Sequence, residues 1–201
     1  MKARLGILGG TFDPVHRGHI DLALEARREA SLDQVLLMPA YIQPFKQDRK
    51  TASPEARKAM LDLAVDGLSG LAVSTYELMR GQVSYTYDTI DALRTQEPDK
   101  DFFFIMGSDS YFRLESWYKG IDLLQAVSYI VGARAGDQRE RIREKAREYR
   151  KKYGAKTLLL KKDLIKVSST DIRTRIREGR SVRGLVDTRV EAYIYEQGLY
   201  L

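Results

Sequence analysis

Two histidines, the only two in the chain, stand three residues apart in Gly9-Gly10-Thr11-Phe12-Asp13-Pro14-Val15-His16-Arg17-Gly18-His19. At the start of a helix that spacing puts both imidazoles on one face, within reach of a single anion. A short apolar run, Leu5-Gly6-Ile7-Leu8, precedes the stretch, and Ile20–Arg28 follows it with helical periodicity. The order predicted is strand, glycine turn, helix N-terminus, whose free N–H groups and dipole attract phosphate. Gly9 and Gly10 let a ligand approach the main chain, and Gly18 leaves room between the imidazoles for a phosphate. The stretch fits neither G-x-G-x-x-G nor the P-loop pattern. A tight turn with two surface histidines is the plainer use of the same residues.

Further polar groups fall where strands end. Lys46 lies in a polar, non-periodic loop after Gln34–Pro39, at a strand's C-terminal end, where open α/β sheets build their sites. Gly107-Ser108-Asp109 closes the most hydrophobic run, Phe102–Met106; its glycine permits close approach, and Asp109 can accept from ribose hydroxyls or stand near a magnesium ion. Ser108 or Asp109 acting only as a helix cap is the alternative. Ser168-Ser169-Thr170-Asp171-Ile172-Arg173 reads as a cap and first helical turn offering hydroxyls, N–H groups and a guanidinium, which suits terminal phosphates. Ser84-Tyr85-Thr86 opens another helix, and Trp117-Tyr118 contains the single tryptophan, a pair that core packing would also explain.

The elements that must position these groups alternate. Strands are predicted at Leu5–Leu8, Gln34–Pro39, Leu71–Ser74, Phe102–Met106, Val127–Val131 and Thr157–Leu160, with helices between them. Ser53-Pro54-Glu55 supplies an N-cap, a first-turn proline and an acid, and a last helix spans Asp187–Gln197 with Gly198 as terminator. This pattern predicts a doubly wound, mostly parallel α/β sheet with helices on both faces, in one domain over residues 1–201. The glycine-bearing and polar strand ends should converge at one edge.

Composition narrows the chemistry. Without cysteine there is no disulfide, thiolate metal site or thiol nucleophile, and two histidines cannot build a histidine-rich zinc site. No apolar run is long enough for a membrane span, and Met-Lys-Ala-Arg leads straight into a strand, so a cytoplasmic location is expected. The net charge of +6 matches the excess between Arg134 and Lys156 alone. There, however, Glu140, Glu144 and Glu148 recur every four residues among the basics, the pattern of a solvated, ion-paired helix. A nucleic-acid surface would need more aromatics among the basics than Tyr149 and Tyr153, so neither a nucleic-acid nor a membrane partner is expected.

Gly-Gly-Thr-Phe-Asp-Pro-x-His-x-Gly-His resembles the signature of bacterial nicotinate-mononucleotide adenylyltransferases, within the superfamily that carries His-x-Gly-His, and matching pieces recur along nearly the whole chain. The resemblance implies a Rossmann-like nucleotidyltransferase fold. It also implies adenylyl transfer from ATP to nicotinate mononucleotide, giving nicotinate adenine dinucleotide and pyrophosphate. The acceptor phosphate would attack the α-phosphorus in line, without a covalent intermediate or general base. Carried over by position, His16, His19, Lys46 and Arg173 would be catalytic. Gly9, Gly10, Thr11, Phe12, Gly107, Asp109, Ser168, Ser169 and Thr170 would line the ATP site with His16, His19 and Arg173. Tyr85, Thr86, Trp117, Tyr118 and Arg134, with Lys46, would meet the nicotinate mononucleotide. Magnesium would arrive with ATP and take no dedicated protein ligand, and a homo-oligomer is compatible with the pattern. This chain departs from the family at Phe45, where a histidine is usual, at Ala135, where proline is, and at Asp187, again for proline. Transfer to nicotinamide mononucleotide or pantetheine phosphate, or non-catalytic nucleotide binding, are the rival readings.

Overall fold

A computed structural model describes residues 2–46, 51–134 and 139–201, Lys46 through its backbone alone. β1 (Ala3–Gly10) leads through the histidine stretch into α1 (Arg17–Glu29), β2 (Gln34–Pro39) and a 3₁₀ turn at Pro44–Lys46. Next come α2 (Pro54–Val65), β3 (Leu71–Val73), α3 (Tyr76–Arg80) and α4 (Thr86–Gln96). The second half runs β4 (Lys100–Gly107), α5 (Ser108–Tyr111), a 3₁₀ turn at Leu114–Ser116, α6 (Gly120–Ala126) and β5 (Ser128–Gly132). It closes with α7 (Arg139–Tyr153), β6 (Thr157–Leu159), α8 (Ser169–Arg177) and α9 (Thr188–Glu196).

The sheet order is β3-β2-β1-β4-β5-β6. Every pair of neighbouring strands is parallel, so the expected "mostly parallel" sheet is parallel throughout its described strands. The order reverses between β1 and β4, and at such a switch point the connections leave in opposite directions and open a crevice. The strand ends are level there. Gly10 faces Pro39 across β1–β2, and Gly107 faces Gly132 across β4–β5.

Period-two alternation sends side chains to two cores. Leu5 and Ile7 of β1, Phe102, Phe104 and Met106 of β4, and Tyr129 and Val131 of β5 join one; Leu8, Ile105 and Ile130 join the other. The first is covered by α4, α6 and α7, and the second by α1, α2, α8 and α9, through stripes such as Leu22-Ala23-Ala26 and Ile172-Ile176. Central strands buried on both faces read as continuous apolar runs, which is why Phe102–Met106 is so conspicuous in the sequence.

Caps fix the helix starts. Ser53 accepts from the Ala56 N–H with Pro54 opening α2, and Asp187 accepts from the Arg189 N–H at α9. The basic helix is the ion-paired surface element its pattern predicts. Glu140 pairs with Arg143 and Arg147, Lys145 with Glu115 and Glu148, and Lys152 with Glu148, while Ile142 and Tyr149 anchor its buried side. Asp137, which precedes this helix in the sequence, lies outside the described residues. A helix does begin just after Trp117-Tyr118, at α6, whereas α3, only 5 residues long, is too short to display a periodicity of its own.

Gly6 belongs to packing rather than ligand binding. A Cβ there would lie 2.7 Å from both Ile105 Cδ1 and Leu32 Cδ1 and 3.0 Å from Val35 Cγ2. Gly6→Ala should therefore overpack the α1 face and cost about 1–3 kcal/mol, read as a lowered midpoint in urea denaturation.

Candidate active site

The two histidines are locked to each other. His16 is the N-cap of α1, and its Nδ1 accepts the His19 backbone N–H at 3.3 Å; His19 Nδ1 accepts the His16 backbone N–H at 3.2 Å. This is a capping box in which imidazoles take the places of the usual hydroxyl and carboxylate. The rings lie 3.6 Å apart between centroids at 15°, and Phe12 meets His19 edge-on at 4.9 Å. With each Nδ1 occupied as an acceptor, the ring proton of each neutral imidazole belongs on Nε2. Burial, and next the positive charge of Arg134, pull the His16 pKa down to about 4. His16 is thus a neutral donor at pH 7.

Glycine positions follow from the rings. A Cβ at Gly18 would lie 2.9 Å from Val167 Cγ1 and 3.2 Å from the His16 ring. The space expected for a phosphate is therefore taken by packing that holds the imidazole. A Cβ at Gly10 would meet the Phe12 ring at 3.2 Å. Phe12 itself, almost fully buried, has φ 52°, a left-handed conformation costing a β-carbon residue roughly 1–2 kcal/mol. Its ring seals the turn against the core and offsets that cost.

The turn is held from behind by groups whose roles the sequence did not reveal. Arg57, on α2, is 1% exposed. Its guanidinium donates to the carbonyls of Thr11, Ala40, Tyr41 and Ala52, tying the ends of β1 and β2 together. Burial lowers its pKa, opposed by the Asp13 carboxylate. Asp13 Oδ1 accepts from the Ala52 N–H and the Tyr200 hydroxyl. Gln43, also unforeseen, accepts from the Thr11 hydroxyl at 3.0 Å. No local pattern marks Arg57 or Gln43, since their partners are carbonyls and hydroxyls brought near only by the sheet.

Two adjoining cavities flank this turn. The larger, about 370 Å³, is lined by Gly9 to Asp13, His16, His19, Gly107, Asp109, Arg134, Ser168 to Thr170 and Arg173. Every residue expected at the ATP site is thus brought into one cleft, from both ends of the chain. Ser168 caps α8 by accepting from the Asp171 N–H, and the Ser169 hydroxyl donates to the Pro14 carbonyl. The Ser169 O–H is thus spent on the fold, while the Ser168 oxygen only accepts and keeps its own O–H for donation beside the backbone N–H groups of α8. Arg173 donates from a terminal nitrogen to the Asp13 carbonyl at 2.6 Å, which holds one end of its guanidinium beside the turn. Arg134, expected to meet the nicotinate mononucleotide, stands 3.6 Å from Asp109 in this same cleft, on its histidine side.

The smaller cavity, about 80 Å³, shares Gly9, Gly10, Gln43, Phe104 and Trp117 with the larger and adds Tyr85, Thr86, Tyr118 and Phe45. Tyr85 is the N-cap of α4 yet makes no side-chain cap bond. Its other wall carries Glu77, which takes a hydrogen bond from the Thr89 hydroxyl at 2.7 Å. Burial pushes that carboxyl above the usual carboxylate range, against hydrogen bonds from Thr89 and Ser84. Lys46 has its backbone in the 3₁₀ turn beside this cavity; its side chain lies outside the described residues.

A family model described as cytidylyltransferase-like matches residues 7–175. The chain is similar to a protein of Clostridium beijerinckii named "Probable nicotinate-nucleotide adenylyltransferase", with 35% identity over 98% of each chain. It is similar also to one of Streptococcus mutans with the same name, at 38% identity over 99% of this chain and 89% of the other. Among solved structures, Plasmodium falciparum nicotinic acid mononucleotide adenylyltransferase complexed with NaAD superposes with a TM-score of 0.80. It shares 18% identity over 98% of this chain and 97% of that one, a likeness of fold.

The reciprocal cap makes a pH prediction. His16 takes up its proton less readily folded than unfolded, so the stability it contributes is complete above pH 6.5 and is lost as the pH falls towards about 4. Wild type should lose about 2–3 kcal/mol of its advantage over His16→Asn between pH 7.5 and 4.5, measured by urea denaturation. An unchanged difference would mean that the ring is not held neutral.

Proposed function

The chain belongs to the cytidylyltransferase-like family, among its nicotinate-nucleotide adenylyltransferases, and on that premise we propose how its own residues join ATP to nicotinate mononucleotide. The observation that carries the reading is the stacked pair of imidazoles lining the larger of two cavities that meet at a wall containing Gly9 and Gly10. Each imidazole presents an Nε2–H because its Nδ1 is already used.

ATP occupies the larger cavity, its α- and β-phosphates against His16 and His19 and its terminal phosphates near Arg173 and the N-terminus of α8. Nicotinate mononucleotide occupies the smaller, its ring beside Trp117 and its carboxylate at the N–H groups of Thr86 and Tyr118. Its phosphate then comes to the Gly9–Gly10 wall, where no side chain keeps it from the α-phosphorus. Lys46 neutralises that phosphate as it approaches. The attacking oxygen is already ionised at pH 7, so no side chain has to remove a proton. The residues align the two phosphates and stabilise charge as it moves to the departing pyrophosphate. Neutral donors suit such a transfer, because their hydrogen bonds strengthen as charge builds, while an imidazolium would also grip the ground state.

Magnesium would arrive with ATP, with no dedicated protein ligand, and would help neutralise the phosphates. Among the described residues no three His, Asp or Glu side chains gather as a metal site, and no helix is long and apolar enough to cross a membrane. A cytoplasmic enzyme active as one domain or as a homo-oligomer accords with this reading.

Pyrophosphate release from MgATP should depend on nicotinate mononucleotide and be much weaker with the amide, seen as a lower kcat/KM; equal values would remove the acid from the assignment. His19→Ala should lower kcat by about 10²–10³, the cost of one transition-state donor, with a far smaller change in KM for ATP. Equal effects on both would point to ground-state binding.

A further inference from the structure

Phe45, on the 3₁₀ turn Pro44–Lys46, leaves 65% of its surface in water at the rim of the smaller cavity. Across the cavity stands Trp117, with ring centroids 6.1 Å apart and planes at 53°. Phe104 meets the indole edge-on at 6.3 Å and 83° and backs it from the sheet. Tyr85 and Tyr118, 4.5 Å apart, close the flank. Two faces at 53° make a wedge, not a stack, and each keeps an apolar face uncovered. A flat ring between them would touch both if the outer rings stood roughly 7 Å apart, twice a carbon–carbon contact. That is about an ångström more than the present spacing, within reach of a side-chain rotation by so exposed a residue.

We infer that Phe45 is a specificity-determining residue that completes, with Trp117, a two-sided aromatic slot for the planar pyridine ring of the acceptor. The inference rests on the acceptor assigned above and adds what selects its ring. Covering Phe45 removes apolar surface from water and sets the positively charged, flat pyridinium ring against aromatic faces, both favourable only for a planar ligand ring. Selection then falls on the ring, while the phosphate is left to the glycine wall.

The only tryptophan in the chain is Trp117, so its fluorescence reports this slot directly. Nicotinate mononucleotide should quench it in the wild type. Phe45→Ala should weaken that binding about five- to tenfold, Phe45→Tyr should restore it to within about twofold, and Phe45→Leu should not. Binding of ribose 5-phosphate, which has no ring, and KM for ATP should stay within about twofold in all three. Wild-type affinity in Phe45→Ala, or an equal loss for ribose 5-phosphate, would overturn the inference and leave the acceptor intact. A wild-type protein that neither binds nicotinate mononucleotide nor uses it for pyrophosphate release would remove the acceptor reading and the slot together.

Discussion

Two imidazoles that cap each other's backbone set the terms for everything around them. The arrangement spends both Nδ1 lone pairs on α1, so the direction of the two Nε2–H groups is decided by helix geometry rather than by free rotation of side chains. It also couples charge to fold. A proton on either Nδ1 would break a cap bond, and at His16 burial opposes that proton as well. A ring held in this way is a fixed dipole in the wall of the cleft, and preorganised donors are the form that stabilises moving charge best.

Such a pair needs a rigid seat, and the seat comes from residues remote in sequence. Arg57 gathers four carbonyls from the ends of β1 and β2 and from residue 52. Asp13 receives Ala52 and Tyr200 on one oxygen, while its carbonyl receives Arg173. These are charge-assisted bonds in a buried setting, where an unmade bond costs more than a made one gains. The turn is accordingly over-determined, which lets Phe12 keep a left-handed backbone beside the cleft.

The switch between β1 and β4 then divides labour. One cavity opens on the histidine side and one on the aromatic side, with Gly9 and Gly10 in the wall that both share. At those two positions the wall offers main chain alone, while Gln43, Phe104 and Trp117 line both cavities beside them. The excess basic charge stands apart from this, on a helix whose carboxylates take up much of it, and contributes at most a general field for anionic ligands.

The order of strands and helices, the apolar central strand, the caps at Ser53 and Asp187 and the glycine turn before α1 are all readable from local pattern, because each depends on residues within one or two turns of each other. The histidine spacing even announces the shared face. What the sequence could not carry was every decision made across the sheet: that Arg57 seats the motif, that Gln43 meets Thr11, that Gly18 makes room for a ring rather than a phosphate, and that Arg134 stands with the histidines. Those contacts join residues up to 187 positions apart, as Tyr200 and Asp13 do. Periodicity reports which face a side chain takes; only packing decides what it finds there.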